Sequence, residues 1–223
     1  MGLLLRFSER NKEKINEYLD LVVDYIIDGK LIAFPTNSVY GLGGDPLNIE
    51  LMERLFNIKF RDRNKGFLLL LSDYEEASKI AIFNDVAQKL AKNFWPGQLT
   101  LILERKKPNI IPMEVTAFKE TIGLRVPENK VILEILRKLK SRGKYGGIIG
   151  TSANFSGEKP SISGAEVAKS FLGNIDLVLD SGKSISKIPT TIVDCTTNKI
   201  KFLRIGIISK EDIINVVGSD YIE

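Results

Sequence analysis

The sequence has no histidine and only one cysteine, Cys195, among its 223 residues. The absence of histidine excludes Ser-His and Cys-His nucleophile systems, histidine zinc sites and the side chain that most often acts as a general base near pH 7. One cysteine forms neither an intrachain disulfide nor a cysteine metal cluster, and its apolar neighbours predict a buried side chain. Catalysis would therefore use lysine, arginine, carboxylates, hydroxyls, backbone amides or a metal held by oxygen ligands.

Long apolar runs are also missing. No run approaches the roughly 18 residues of a membrane-spanning helix. The first five residues are followed closely by Arg6, Glu9 and Arg10, which is not the pattern of a secretory signal. We therefore expect a cytoplasmic protein with no membrane partner. The length predicts one domain over residues 1–223.

The charge balance is only mildly basic, with 32 Lys and Arg against 28 Asp and Glu, for a formal net charge of +4. This balance is compatible with an anionic ligand such as a nucleotide, or with a weak RNA surface, but it requires neither. The phosphate-binding fingerprints are absent or weak. No Walker pattern occurs, and Gly41-x-Gly43 lacks both a third glycine and a long following helix.

Helix signals alternate irregularly with short apolar strands. Apolar residues at helical spacing predict a helix from Lys12 to Asp28 that Gly29 ends, and Asn48 is a predicted N-cap. Ser72 and Ser163 each begin a capping-box pattern. The predicted strands cluster late in the chain. The expected fold class is α/β with α+β character: a large twisted mixed sheet flanked by helices.

Two polar segments are candidate ligand sites. The run Gly146–Gly157 begins as an apolar strand and turns into small polar residues, which allow a ligand to approach the backbone; an ordinary surface turn has the same composition. The segment Lys59–Lys65 places four cations in seven residues. In extended backbone Lys59 and Arg61 would point to the same side and could clamp a phosphate. A solvated charged helix end is the alternative.

Two arginines lie in or at the end of apolar strands. Arg125 follows Gly123-Leu124, and Arg204 ends a strand that begins at Ile200. An arginine in such a place either pairs with a buried acid or points at an anionic ligand. The sequence leaves both alternatives open for each arginine.

In this order, these segments resemble the YrdC-type threonylcarbamoyl-AMP synthase family in its single-domain form. The resemblance runs from about residue 31 to 204. It is carried by six motifs: Phe34-Pro35-Thr36-Asn37-Ser38-Val39-Tyr40-Gly41-Leu42-Gly43, Lys59-Phe60-Arg61 with Lys65-Gly66-Phe67, Phe94-Trp95-Pro96-Gly97-Gln98-Leu99-Thr100, Gly123-Leu124-Arg125-Val126-Pro127, Thr151-Ser152-Ala153-Asn154-Phe155-Ser156-Gly157 and Thr190-Thr191-Ile192-Val193-Asp194.

The resemblance implies a YrdC/RibB-like fold around a positively charged cavity. It also implies an L-threonylcarbamoyladenylate synthase, a nucleotidyltransferase that makes threonylcarbamoyl-AMP and pyrophosphate from L-threonine, bicarbonate or CO2, and ATP. The product serves the t6A37 modification of tRNA, through threonylcarbamoyl-transferase partner proteins. Mg²⁺ is expected to accompany ATP, with no metal site formed by the protein. An RNA-binding module, for tRNA or double-stranded RNA, is the alternative function.

The same resemblance assigns residues. The expected catalytic residues are Lys59 and Arg61. The expected threonine contacts are Thr36, Thr121, Arg125 and Thr190, and the expected nucleotide contacts are Lys59, Ser152, Asn154 and Arg204.

The sequence departs from the family pattern at three places: Asn37-Ser38 replaces acidic or threonine variants, Asp62 replaces a common proline, and Ser72 stands where some relatives place a histidine. These departures leave open a family member with a changed substrate.

Overall fold

The computed structural model describes residues 2–6, 12–184, 186 and 188–223. This part of the chain contains eleven β-strands, seven α-helices and two short 3₁₀ helices. The strands are β1 (Leu3–Arg6), β2 (Ile32–Phe34), β3 (Gly41–Gly43), β4 (Leu68–Leu71), β5 (Ala81–Ile82), β6 (Leu99–Arg105), β7 (Thr121–Arg125), β8 (Gly147–Ser152), β9 (Leu177–Asp180), β10 (Thr191–Asp194) and β11 (Lys201–Arg204). The helices are α1 (Lys12–Ile27), α2 (Ile49–Lys59), α3 (Tyr74–Ile80), α4 (Asp85–Phe94), α5 (Lys130–Ser141), α6 (Gly164–Phe171) and α7 (Lys210–Val217), and the 3₁₀ helices are Met113–Thr116 and Ser219–Tyr221.

The strands form one mixed sheet in the order β1-β9-β2-β3-β8-β4-β7-β6-β10-β11, and β5 pairs with the far end of β6. Strand pairs β1/β9, β2/β9, β4/β7 and β6/β10 are parallel. The other neighbours are antiparallel. The predicted fold class, a mixed sheet flanked by helices, is therefore confirmed. The expectation of one domain over 1–223 stays a prediction.

The two faces of the sheet are covered unequally. Alternate residues of each strand point to opposite faces. On one face, residues such as Leu69, Leu101 and Leu124 pack in a core that also holds apolar residues of α2, α3, α4, α6 and α7. On the other face, a second core joins β2, β4, β8 and β9 to α1 and α5. These two helices cover only part of that face, and the cavity described below lies over the strands beside them.

Two of the three predicted N-caps, Asn48 and Ser163, are confirmed. The side chains of Asn48, Asn84, Ser163 and Ser209 each accept a backbone N–H of the first turn, which satisfies a donor that lacks an intrahelical partner. The predicted cap at Ser72 is wrong. Asp73 caps α3 by accepting the Glu76 N–H, and the Ser72 hydroxyl donates to the Asp73 carboxylate at 2.8 Å.

Strand β3 lies in a glycine-rich segment. A Cβ built on Gly43 would lie 1.7 Å from the Ile149 carbonyl oxygen, so only glycine allows this strand to pass the backbone of β8 so closely.

Cys195 is buried and free, as predicted, and burial raises the pKa of its thiol to about 12. In the described residues, no helix combines the length and the apolar character needed to span a bilayer.

Candidate functional site

A cavity of about 700 Å³ opens on the sheet face that α1 and α5 leave uncovered. Its floor is formed by alternate residues of β4, β6, β7, β8 and β10. Its walls come from the segments that follow β2, precede β7 and precede β10. Seven of the nine predicted site residues line it: Thr36, Arg61, Thr121, Arg125, Ser152, Thr190 and Arg204.

A glycine in β7 leaves part of the cavity floor without a side chain. Gly123 lies between Thr121 and Arg125 on the cavity side of β7. A Cβ at Gly123 would lie 3.1 Å from the Ile102 side chain and 3.3 Å from the Leu68 Cβ, both on neighbouring strands. The two residues flanking Gly123 on this face can therefore be approached by a ligand that lies flat against the strand.

Lys59 does not line the cavity. It is the last residue of α2, and its buried ammonium group donates to the backbone carbonyls of Ser152 and Asn154. Its own carbonyl accepts the Ser156 N–H at 3.0 Å. Lys59 thus anchors the small-residue segment Ser152–Gly157, which we call the β8 loop, to the end of α2. Burial, and to a lesser extent the charge of Arg61, lowers the pKa of Lys59 to about 8.

Lys59 and Arg61 do not share an extended backbone, so that part of the prediction is wrong. Helix α2 ends at Lys59, and Phe60 adopts a left-handed conformation with φ 49°. After this reversal, the Arg61 side chain donates to carbonyls of its own segment rather than to the β8 loop. Its Nη2 donates to the Gly66 carbonyl at 2.7 Å and its guanidinium lies over the Phe67 ring, 5.0 Å from the centroid. The two cations therefore occupy different places: Lys59 contacts the backbone of the β8 loop, and Arg61 lines the cavity.

Asn154 also lies outside the cavity lining. Its amide group donates to the carbonyls of Phe155 and Glu158, both at 2.8 Å, and so closes the turn of the β8 loop. Its Oδ1 is buried, and no described residue donates to it. Ser152, at the end of β8, is the member of the predicted Ser-x-Asn pair that reaches the cavity.

Arg125 is the most buried cation of the cavity, with 4% of its surface exposed. Its Nε donates to the Gly97 carbonyl at 2.8 Å, and its Nη2 donates to the side-chain Oδ1 of Asn37. Both acceptors are neutral. Burial first, and the charge of Arg204 second, lower the pKa of Arg125 to about 9. Because no carboxylate of the described residues forms an ion pair with it, the structure favours an anionic ligand over an internal acid as its partner.

Arg204 and Thr190 form a second polar group on the cavity wall. The arginine Nε donates to the Thr190 carbonyl at 2.9 Å, and its Nη2 donates to the Thr190 hydroxyl at 2.8 Å. Partial burial lowers the pKa of Arg204. Across the cavity, the Thr36 hydroxyl donates to the Val39 carbonyl at 2.7 Å and accepts the Ser38 N–H at 3.1 Å, which fixes the turn after β2.

Two charged residues of the cavity lining, Lys119 and Asp194, were not predicted as site residues. Lys119 lies two positions before Thr121 and four before Gly123. The alternation of side chains along β7 could therefore have indicated that Lys119 faces the cavity. Its segment is held by Thr116, whose hydroxyl donates to the Lys119 carbonyl at 2.8 Å and accepts from Arg105 at 3.2 Å. Asp194 also lines the cavity, and its Oδ1 accepts the N–H and hydroxyl of Thr196.

The cavity is consequently a cationic site. Its charged lining residues are Arg61, Lys119, Arg125 and Arg204 against the single carboxylate of Asp194. Fixed cations and hydroxyl donors in a partly enclosed space stabilise negative charge on a ligand or a transition state. The excess of cations in the lining therefore favours an anionic ligand.

Comparison with known proteins gives consistent matches. A family model named Sua5/YciO/YrdC and described as telomere recombination matches residues 13–206. A threonylcarbamoyl-AMP synthase of Pyrococcus abyssi is 32% identical over 209 residues, which cover 93% of this chain and 59% of that protein. A relative from Methanocaldococcus jannaschii is 33% identical over 211 residues, which cover 93% of this chain and 96% of that protein.

The solved structure of P. abyssi Sua5 complexed with L-threonine is similar throughout the chain. It superposes with a TM-score of 0.86 at 30% identity, covering 98% of this chain and 61% of that one. The chain therefore spans about three fifths of the P. abyssi protein and nearly all of the M. jannaschii protein.

Proposed function

Because the chain belongs to the Sua5/YciO/YrdC family, we propose that it is an L-threonylcarbamoyladenylate synthase. The reaction would convert L-threonine, bicarbonate or CO2, and ATP into threonylcarbamoyl-AMP and pyrophosphate, which makes the enzyme a nucleotidyltransferase. The observation that carries the proposal is the buried, uncompensated guanidinium of Arg125 on the floor of a cationic cavity. The threonine-bound Sua5 structure supports the choice of amino acid.

Threonine would lie against β7 and the strands beside it. Arg125 would bind the carboxylate, because a guanidinium presents donors in the fork that a carboxylate accepts. The hydroxyls of Thr36, Thr121 and Thr190 line the same cavity and could hydrogen-bond the amino acid. The position of Gly123 leaves room for it beside the strand.

ATP would occupy the part of the cavity between Ser152 and the cations Arg61, Lys119 and Arg204. The threonine amine attacks bicarbonate or CO2, and the new C–N bond gives a carbamate. With bicarbonate, water is released; with CO2, the attacking amine loses a proton to solvent. A carbamate oxygen then attacks the α-phosphate, a P–O bond forms, and pyrophosphate leaves with the electrons of the bond that breaks. Both steps build negative charge, which the fixed cations of the cavity would stabilise. The proposed reaction requires no histidine base.

Mg²⁺ would enter with ATP. In the described part of the chain, no three His, Cys, Asp or Glu side chains are grouped to hold a metal ion. Asp194 is the single carboxylate among the cavity-lining residues. A magnesium ion would therefore be held mainly by phosphate oxygens and water, as substrate rather than as a resident cofactor.

The product would pass to threonylcarbamoyl-transferase proteins for the t6A37 modification of tRNA. The alternative function, binding of tRNA or double-stranded RNA as the main role, has no specific observation in its favour. Strongly salt-dependent RNA binding without pyrophosphate release would support that alternative.

Pyrophosphate release from ATP is expected to require both L-threonine and bicarbonate, because the carbamate is the attacking group. Single omissions from an otherwise complete assay test this dependence, and depletion of dissolved CO2 makes the bicarbonate omission effective. Release that continues at an equal rate without threonine would refute the proposed reaction.

Turnover is expected to fall as the pH rises through about 8, the pKa to which burial lowers Lys59, because the cation at the base of the β8 loop is then lost. The free energy of unfolding should change in the opposite direction and rise with pH. An unfolded lysine titrates near 10.5, so between about pH 8 and 10.5 the unfolded chain binds more protons, and Lys59 makes the free energy of unfolding rise with pH.

A pH–rate profile and denaturant titrations over this range measure both trends. Lys59→Arg should shift the alkaline fall in turnover to higher pH, because arginine stays protonated there. An unshifted profile in that variant would exclude Lys59 as its cause.

A further inference from the structure

Thr100 is a buried polar residue of β6 that the site described above does not use. None of its surface is exposed, so bulk solvent does not reach its hydroxyl group. Leu101 pairs with Leu124 in the antiparallel register of β6 and β7, and this register places Thr100 opposite Arg125. Alternation along β6 directs Thr100 to the same face as Ile102, which lines the cavity. Thr100 therefore lies beneath the cavity floor, next to its most buried cation.

The hydroxyl of Thr100 contacts a hydroxyl that does line the cavity, that of Thr190. The two oxygens lie 3.4 Å apart, and either group could donate. The Thr190 oxygen also accepts from Nη2 of Arg204 at 2.8 Å. Neither hydroxyl forms any other hydrogen bond with a described residue. Thr190 is thus the centre of a short chain between Arg204 and Thr100.

The number of protons determines which hydroxyl donates. A threonine hydroxyl carries one proton and two lone pairs that can accept. If Thr190 donated to Thr100, the Thr100 proton would be buried without an acceptor among the residues that the structure describes, which is unfavourable. If Thr100 donates to Thr190, its proton is satisfied, and the Thr190 proton is left to point into the cavity. The second direction is therefore the favoured one.

With this direction of donation, Thr190 interacts with a ligand as a hydrogen-bond donor only. Arg204 and Thr100 occupy both of its lone pairs, so it cannot accept from the ammonium group or the hydroxyl group of an amino acid. Because a guanidinium donates to the same oxygen, the Thr190 O–H is polarised and binds an anionic acceptor more strongly. The ligand group that fits is a negatively charged oxygen. Arg125, opposite Thr100, would bind the same group.

We propose that Thr100 is a positioning residue whose hydroxyl directs the Thr190 proton toward an oxygen of the substrate carboxylate. Where the substrate is threonine, the inference rests on the proposed function. Thr100 itself touches no substrate and forms or breaks no bond in the reaction. Its effect on the ligand is transmitted entirely through Thr190, and a double-mutant cycle measures this dependence.

Isothermal titration with L-threonine tests the dependence in Thr100→Val, in Thr190→Val and in the double variant. Valine keeps the branched shape of threonine and removes the hydroxyl. We expect Thr190→Val to raise Kd at least about tenfold and Thr100→Val about fivefold. The double variant should stay within about twofold of Thr190→Val, because Thr100 has nothing to orient once the Thr190 hydroxyl is gone. A Thr100→Val variant with the Kd of the wild type, or an equal loss of affinity in both backgrounds, would overturn the inference.

Thr100→Ser is the matched control, since it keeps the hydroxyl group and loses only a methyl group. Its threonine Kd should lie within about twofold of the wild type. The KM for ATP should stay within about twofold in Thr100→Val, because Nε of Arg204 donates to the Thr190 carbonyl at 2.9 Å and keeps the arginine in place. If Thr100→Ser binds threonine as weakly as Thr100→Val, packing and not the hydroxyl is responsible, and the inference is wrong.

Nuclear magnetic resonance of the wild type without ligand measures the direction of donation. A buried hydroxyl proton that donates within the protein exchanges slowly with water and gives a resolved signal. We expect such a signal with a through-bond correlation to the Cβ of Thr100, and we expect its loss in Thr100→Val. The Thr190 proton should exchange rapidly through the cavity. The absence of a slowly exchanging proton on Thr100 would overturn the inference.

The two failures are distinguishable. If the wild type shows the slowly exchanging Thr100 proton but binds no threonine, the proposed function fails and the direction of donation stands. If Thr100 carries no such proton, the inference fails whatever the protein binds.

Discussion

Replacing Arg125 with methionine is expected to lower kcat/KM for threonine by about 10³-fold, because the variant removes the buried, uncompensated cation that would bind the threonine carboxylate. Methionine keeps much of the apolar volume of the arginine stem. Steady-state kinetics with threonine varied at saturating ATP measures the effect. The Tm should change little, since the lost hydrogen bonds to Gly97 and Asn37 are offset by the removal of a charge whose burial is unfavourable.

Two further variants distinguish the effect of the Arg125 charge from the effect of its guanidinium shape and from a loss of folding stability. Arg125→Lys retains the charge but loses the fork, so we expect an intermediate loss of kcat/KM. Arg105→Met is the matched control, because Arg105 is also buried and donates to neutral acceptors, the carbonyls of Ile111 and Pro112 and the Thr116 hydroxyl. It should lower the Tm more than Arg125→Met does. Equal kcat/KM values in the Arg125→Met variant and the wild type would remove Arg125 from the threonine site.

Lys59→Met is expected to lower kcat by at least about 100-fold. The variant removes a cation next to the cavity and also leaves the Asn154 carbonyl without its donor, so the β8 loop is no longer anchored to α2. The free energy of unfolding should fall by no more than about 1–2 kcal/mol, because relief of the buried charge offsets part of the loss. Single-turnover kinetics and denaturant unfolding measure the two effects separately.

Lys65→Met is the control for Lys59→Met, since Lys65 is an exposed cation of the same segment. It should leave kcat unchanged. If Lys59→Met and Lys65→Met have similar small effects, the cation that anchors the β8 loop has no part in turnover.

Residue spacing predicted the parts of the fold that depend on local chemistry. Asn48 and Ser163 cap their helices as expected, because a short polar side chain before an amphipathic run satisfies free N–H groups. Short apolar strands were predicted from composition, and β4 and β6 are strands of this kind. At residues 72–73 two adjacent side chains could both cap α3, and local pattern did not separate them.

The parts that depend on tertiary contacts could not be predicted in this way. Gly41–Gly43 has no strand propensity and becomes β3 only because β2 and β8 pair with it on either side. Lys59 was predicted as a site residue from the family resemblance, but its bonds to the β8 loop depend on where α2 ends and Phe60 reverses the chain. Likewise, the buried Arg125 left two possible partners open until its neighbours were known to be neutral.

The most direct test of the proposed function is the isolation of its product. Purified protein would be incubated with L-threonine, ATP, Mg²⁺ and isotopically labelled bicarbonate, and the nucleotide fraction would be analysed by mass spectrometry. The account predicts a threonylcarbamoyl-adenylate that carries the bicarbonate carbon, together with an equal amount of pyrophosphate, and neither product with Arg125→Met above a trace. An adenylate without the labelled carbon, or pyrophosphate without any threonine-containing adenylate, would contradict it.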